Sequence, residues 1–216
     1  MLLGIDEAGR GPVIGDLVIS GVLLPSTETG EQLRELGVRD SKELSRGKRE
    51  LLFPLIESTS SGVSTQIISA EKVDAWRNSG KSLNELEAKV FAQIIDEMSP
   101  DEVIVDCTDI IPETFSNRIN RYLNHTRPSK MLCEHFADKN HPVVSAASII
   151  AKVIRDRRIG NLCASFGEMG SGYCHDKRTL NFLENWYEMK GGFPKFVRKT
   201  WCTACRIREE KLQRTL

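Results

Sequence analysis

Apolar positions follow two rhythms along this chain, one suited to strands and one to helices. The run over 2–6 and the longer one over 16–24 predict strands, parted by the glycine and proline punctuation of GRGPVIG. Residues 28–37 predict a helix that Gly37 ends, and Ser45 is the cap of a second, with Lys48, Arg49 and Glu50 in its first turns. Val63 to Ser69 alternates as a strand does. Ser82-Leu83-Asn84-Glu85 is a capping box, opening a helix that closes near Met98 with Pro100 beyond. Val103 to Asp106 is short and apolar, as expected of a strand buried on both faces, and Lys130 to Glu134 predicts another. After Pro142 the stretch VVSAASIIAKVIRDRRI has helical spacing and enough apolar residues to be central. The remainder reads as helical and basic, interrupted by GEMGSGY and GGFP. Strands first and helices later predict a layered α/β domain over 1–160 with a helical, basic region over 161–216.

Composition narrows the class. A chain of 216 residues that is 40% apolar with mixed charge is globular and long enough to bury a sizeable core. No apolar stretch approaches the roughly 20 residues that span a bilayer, so no membrane is expected. The start has neither the basic segment nor the small-residue cleavage site of a secretory signal, which makes the cytoplasm the expected location. The six cysteines are scattered apart from Cys202-Thr203-Ala204-Cys205, and in a reducing compartment they are expected as free thiols. That CxxC has no second CxxC or HxxxH to complete a zinc site.

A net charge of zero conceals an asymmetry. Residues 1–113 carry 21 acidic and 11 basic side chains, whereas residues 114–216 carry 9 acidic and 19 basic ones. From Lys190 onward eight lysines and arginines face two glutamates. Two readings fit equally: a surface for a polyanion, or a solvated basic helical face.

The acidic half places its charges where chemistry is expected. Asp6 ends the first apolar run and Asp106 ends VIVD. If both strands share a sheet, their carboxyl ends meet in the crevice where α/β proteins bind ligands. Side chains alternate along a strand, so the chain must leave the sheet at about Glu7 for Asp6 and Glu7 to face one site. Three clustered carboxylates need a cation, and an all-oxygen set suits Mg²⁺ or Mn²⁺ rather than Zn²⁺. A lone aspartate after a strand usually caps a turn or pairs with arginine; the adjacent pair plus a second strand-end aspartate puts the two readings level.

Several segments together resemble type 2 ribonuclease H, the ribonuclease HII family, and archaeal members most of all. They are GIDEAGRGPVIG at the start, Arg39-Asp40-Ser41-Lys42, VDCTD at 105–109, CEHFAD at 133–138, PVVSAASIIAKVIRD at 142–156, GSGY at 170–173 and FVRKTW at 196–201. The resemblance implies a ribonuclease H-like fold, a mixed five-stranded sheet flanked by helices, with a helical C-terminal region. It implies a hydrolase that cuts the RNA strand of RNA–DNA hybrids and incises 5′ to single ribonucleotides in duplex DNA, leaving 5′-phosphate and 3′-hydroxyl ends. Its metal-binding acids fall on Asp6, Glu7 and Asp106, with Asp138 as the fourth catalytic acid. Two divalent ions about 4 Å apart account for such a set: one lowers the pKa of the attacking water and the other supports the departing oxygen. No nucleophilic side chain is needed. His135 and His141, which flank Asp138, are expected to pack rather than catalyse.

Substrate choice requires a reader of the 2′-hydroxyl. In the family this is the Gly-Arg-Gly turn, here Gly9-Arg10-Gly11, with Arg10 available to a phosphate. Tyr173 matches the family tyrosine that packs on the following sugar. Lys42, Ser148 and Lys152 are expected on the phosphate side, Ser145 and Ser148 lying near a helix start. The basic C-terminal segment would follow the duplex backbone and give salt-sensitive affinity without sequence information. The family default is a monomer. The end, Gln213-Arg214-Thr215-Leu216, resembles the opening of a sliding-clamp-binding peptide without its aromatics. Two departures stand out: Phe136 replaces the usual lysine, and Cys174 the usual proline after GSGY. Two rivals are a metal nuclease of other specificity on the same framework and a non-catalytic hybrid-binding module. The module would be expected to lose one of Asp6, Glu7 or Asp106, and all three are present.

Overall fold

β1 (Leu2–Ala8) and β2 (Leu17–Leu24) form an antiparallel pair, with Leu2 opposite Leu24 and Ala8 opposite Val18. Both are buried almost throughout, which is why their apolar residues do not alternate with polar ones. The computed structural model describes residues 1–213. Along the chain follow α1 (Thr27–Glu35), α2 (Arg46–Thr59), β3 (Gly62–Ile68), α3 (Ala70–Asn78) and α4 (Leu83–Met98). Then come β4 (Glu102–Asp106), α5 (Pro112–Tyr122), β5 (Lys130–Glu134), α6 (Ala137–Asn140), α7 (Pro142–Phe166), α8 (Lys177–Lys190) and α9 (Cys202–Gln213). The strands make one sheet in the order β3-β2-β1-β4-β5, in which β4 runs parallel to both β1 and β5. This is the mixed five-stranded, helix-flanked sheet that the sequence predicts.

Local chemistry fixes the element ends. Ser26, Ser45, Ser69 and Asp176 each cap a helix by accepting a backbone N–H in its first turn. α3 and α5 lie outside the predicted elements. The predicted strand at 63–69 ends on the Ser69 that caps α3, and α5 opens with Pro112 at its first turn, where a proline costs no hydrogen bond. One expectation needs correction. Asp6 does not end β1 and the chain does not leave the sheet at Glu7; pairing with β2 continues through Ala8.

The described residues cluster into two compact units. The first comprises Met1–Ala8, Val18–Ile67 and Leu83–Ile154; the second comprises Gly9–Leu17, Ile68–Ser82 and the chain from Arg155 on. A single cut near 160 therefore does not describe the grouping, because two early segments join the late one. In the first unit the start of α7 packs on the sheet so closely that a Cβ on Gly4 would sit 2.5 Å from the Val143 carbonyl. Leu24, Leu33, Ile56, Val144, Ala147 and Ile150 close the core around that contact. In the second unit Val13, Ile14, Met169, Leu183, Val197 and Ile207 form a separate core, and Ile14 bridges Val197.

Candidate active site

Asp6, Glu7 and Asp106 each offer a carboxylate oxygen within 4.8 Å of the others. Sheet register explains how neighbours on one strand converge. β1 keeps its ladder with β2 to Ala8, but its ladder with β4 stops at Ile5 opposite Val105. Beyond that point one flank of β1 has no neighbouring strand, and the Asp6 carboxylate turns to accept the Glu7 N–H at 2.7 Å. Asp106 is the last residue of β4 and lies opposite Glu134 of β5. Its Oδ1 accepts the Ala137 N–H at 2.8 Å, a donor supplied by the turn that follows β5. That turn is built on Phe136, whose left-handed backbone (φ 60, ψ 32) opens α6. Its ring is exposed, with the Lys139 ammonium 5.4 Å from the ring centroid.

Asp138, on α6, is fully buried and belongs to the same acidic region without being one of the three convergent groups. Lys42 Nζ donates to its Oδ2 at 3.1 Å, whereas Oδ1 is buried with no hydrogen-bond partner among the described residues. Lys42 is set by a short 3₁₀ turn over Ser41–Glu43, where Asp40 accepts the Lys42 N–H at 2.9 Å.

This much negative charge is poorly balanced by the protein itself. Burial, then the charges of Glu7 and Asp106, hold the Asp6 carboxyl well above its usual range, against a hydrogen bond from Ser148. Burial and then the charge of Asp138 push Asp106 up to about 6, against the Ala137 N–H and Lys42. Lys42 moves upward too: its partial burial pulls down, but the hydrogen bond and charge of Asp138, with Asp40 and Asp6, outweigh it. Like-charged carboxylates in a desolvated place are the state a bound cation relieves. The donor set fits a hard divalent ion, being all oxygen, convergent, and bordered by an unbonded buried oxygen of Asp138.

The remaining first-unit candidates fall around these acids. Ser148 is buried, its hydroxyl 2.9 Å from that of Ser41 and bonded to Asp6, so it supports a carboxylate rather than facing solvent. Ser145 donates to the Asp138 carbonyl at 2.6 Å, and its own N–H already goes to His141. Lys152 is half-buried on α7. His141 bonds Glu134 at 2.9 Å and His135 approaches the Ile110 carbonyl at 3.2 Å, contacts of packing histidines.

The second unit gathers the predicted ribose-reading residues. Gly9 has φ +85, and a Cβ there would meet the Asp16 carbonyl oxygen at 2.5 Å, so no other residue fits. A Cβ on Gly11 would lie 3.6 Å from the Tyr173 ring, which places that ring against the turn. The Arg155 guanidinium stands over the Tyr173 ring at 5.2 Å and donates to the Ser171 carbonyl, which holds the GSGY loop. The Gly172 carbonyl accepts from Val13 and Ile14 N–H at 2.9 and 3.2 Å. Sequence reasoning did not assign a role to Arg155 or Arg198; their only signal was a place inside matched segments. Cys174 and Cys202 are exposed, and all six cysteines are free thiols. Cys205 Sγ lies 3.3 Å from the Lys199 carbonyl.

A mixed sheet carrying three convergent carboxylates, two on the open flank of β1 and one at the end of β4, defines a metal-dependent hydrolase on a ribonuclease H-like framework. Sequence comparison agrees: the family model for ribonuclease HII matches residues 3–204. The ribonuclease HII of Pyrococcus abyssi is 43% identical over 213 residues, covering 98% of this chain and 92% of that protein. Among solved structures, the ribonuclease H2 of Pyrococcus horikoshii superposes with a TM-score of 0.88 at 41% identity, covering 97% of each chain. The ribonuclease HII in a complex with PCNA from Archaeoglobus fulgidus gives 0.85 at 41% identity, covering 96% of this chain and 97% of that one. The chain belongs to the ribonuclease HII family, and is accordingly a ribonuclease H acting on RNA–DNA hybrids.

Proposed function

We propose that this enzyme incises 5′ to single ribonucleotides embedded in duplex DNA, besides cutting the RNA strand of hybrids, with two divalent ions held by Asp6, Glu7 and Asp106. The convergence of those three carboxylates to within 4.8 Å carries the reading. Bound Mg²⁺ or Mn²⁺ would supply an activated water and support for the departing 3′-oxygen.

The chain's own residues do the rest. Ser148 keeps Asp6 oriented, and the Ala137 N–H fixes one Asp106 oxygen so that the other is left for coordination. Asp138, with one oxygen on Lys42 and one unbonded, is placed to orient water. Lys42, 72% exposed at its side chain, meets a phosphate oxygen while its ammonium still neutralises Asp138. Lys152 serves the same phosphate side. Gly9-Arg10-Gly11 reads the 2′-hydroxyl and Tyr173 packs on the next sugar, the turn following Glu7 directly in the chain through Ala8. The basic region over 161–216 follows the duplex backbone.

No helix among the described residues is long and apolar enough to cross a membrane. A monomer working in the cytoplasm is part of the same reading. So is sliding-clamp binding through the C-terminus, supported by the Archaeoglobus fulgidus relative solved with PCNA. Of the segment in question, residues 214–216 lie outside the described residues.

The test is cleavage of three duplexes of one sequence: all-DNA, DNA with one ribonucleotide, and RNA–DNA hybrid, each with Mg²⁺, Mn²⁺ or EDTA. Incision on the 5′ side of the ribonucleotide, only with metal and only where a ribose is present, is the expected result. Equal cutting of all-DNA would indicate a general nuclease, and binding without cutting a recognition module.

A further inference from the structure

Among the described residues, the largest fully buried side chain is not apolar. It is Arg198, with no exposed surface, in the FVRKTW segment ahead of α9. A buried guanidinium demands acceptors for its fixed fork of donors, because an unpaired buried charge is strongly destabilising. Arg198 finds them on one short stretch of backbone. Nη1 donates to the Arg10 carbonyl at 2.7 Å, Nη2 to the Gly9 carbonyl, and Nε to the Gly15 carbonyl at 3.1 Å. The indole N–H of Trp201 donates to the Gly11 carbonyl at 3.0 Å, and the Trp201 ring lies 4.8 Å from the Arg198 guanidinium carbon. Every carbonyl of Gly9-Arg10-Gly11 is thus held by one of two side chains from a segment nearly 190 residues away.

That segment is itself anchored. The Arg198 N–H donates to the Val13 carbonyl at 2.9 Å, and Gly15 N–H to the Phe196 carbonyl at 2.8 Å. Asp74, buried midway along α3, accepts the Lys199 N–H at 2.7 Å, the Thr200 N–H at 3.0 Å and the Thr200 hydroxyl at 2.6 Å.

We infer that Arg198 is a positioning residue for ribose recognition: it sets the Gly9-Arg10-Gly11 backbone in the one geometry that accepts a 2′-hydroxyl, with Trp201 assisting. The inference rests on the reading of that turn as the ribose reader. A glycine-rich turn is free to take many backbone conformations, and a reader built from main-chain groups works only when one is imposed. Three donors fixed on one rigid plane impose it; a lysine, with a single flexible ammonium, satisfies the same carbonyls poorly.

The experiment measures binding to two fluorescent duplexes, all-DNA and the same sequence with one ribonucleotide, with Ca²⁺ replacing the active ion, alongside thermal unfolding. The variants are Arg198→Lys, Arg198→Met and Trp201→Phe. Wild type is expected to prefer the ribonucleotide duplex. That preference should fall by roughly tenfold in Arg198→Lys, further in Arg198→Met, and by about threefold in Trp201→Phe, the scale of lost hydrogen bonds. Affinity for all-DNA should stay within about twofold of wild type for every variant that folds. Trp201→Phe keeps the packing and loses only the indole donor, so it decides the matter even if both Arg198 variants fail to fold. A preference unchanged in every variant that folds, or an affinity lost equally for both duplexes, overturns the positioning role. Absence of any preference in wild type would instead refute the reading of the turn.

Discussion

Two regions of the protein treat buried charge in opposite ways. In the second unit, Asp74 accepts three hydrogen bonds and Arg198 donates three, all to groups of the fold. Asp176, only partly covered, is satisfied in the same way: bonds from Arg178 and the Ser171 N–H hold its carboxyl well below the usual range. In the first unit, Asp6, Glu7, Asp106 and Asp138 crowd together, two of them driven upward in pKa, with Lys42 meeting the last of the four. A charge that the fold satisfies is scaffold. A charge that the fold leaves in repulsion is waiting for a ligand of opposite sign.

The largest effect expected separates the two kinds at once. Asp6→Asn or Asp106→Asn should lower cleavage by on the order of 10³-fold, several kcal/mol of transition-state support. In EDTA the same variants should melt higher than wild type, since a repelling charge is gone. A lower melting temperature without metal would break the comparison. Asp74→Ala should do the reverse, destabilising by about 3 kcal/mol, as three donors lose a buried acceptor, while Mn²⁺ affinity measured by calorimetry stays as in wild type. Titrating Mn²⁺ into the wild type should raise its stability by about 2.7 kcal/mol at a hundred times Kd; Asp106→Asn should show little of that gain.

The smallest effect is the pH dependence. The Asp106 carboxyl in the folded chain titrates at about 6 against 3.8 for the free group, so the folded state holds a proton that the unfolded chain has given up. Metal-free protein should therefore gain stability as the pH falls from 7 towards 5, and lose it as the pH rises through about 6. Cleavage should run the other way, declining below about 6 as protons compete with the cation. A melting temperature in EDTA that rises with pH across that window would count against an unbalanced site.

Much of the first unit was legible from the order of residues. Lys130–Glu134 is the predicted strand residue for residue, and Ser45 is the cap it was read as. Both depend on local signals, burial rhythm and a side chain bonding its own backbone. The position of Asp106 at the end of a buried strand was equally plain. The course of β1 past Glu7 was not, because it depends on where β4 stops pairing, and a ladder's end is set by the partner strand. The Asp6–Glu7 convergence was inferred from a chain departure that does not occur; the carboxylates meet at the open flank of a strand that continues.

Sequence alone determined the family and the five strands and pointed to the three carboxylates that converge, since those follow from short-range patterns and from motifs of fixed spacing. It said nothing of how Arg198 and Trp201 hold Gly9, Arg10 and Gly11, or of Asp74 securing the segment that carries them. These bonds join residues more than a hundred positions apart, and their acceptors or donors are main-chain groups that every residue possesses. Backbone carbonyls leave no trace in the letters of a sequence; only the folded chain shows which of them a buried charge has claimed.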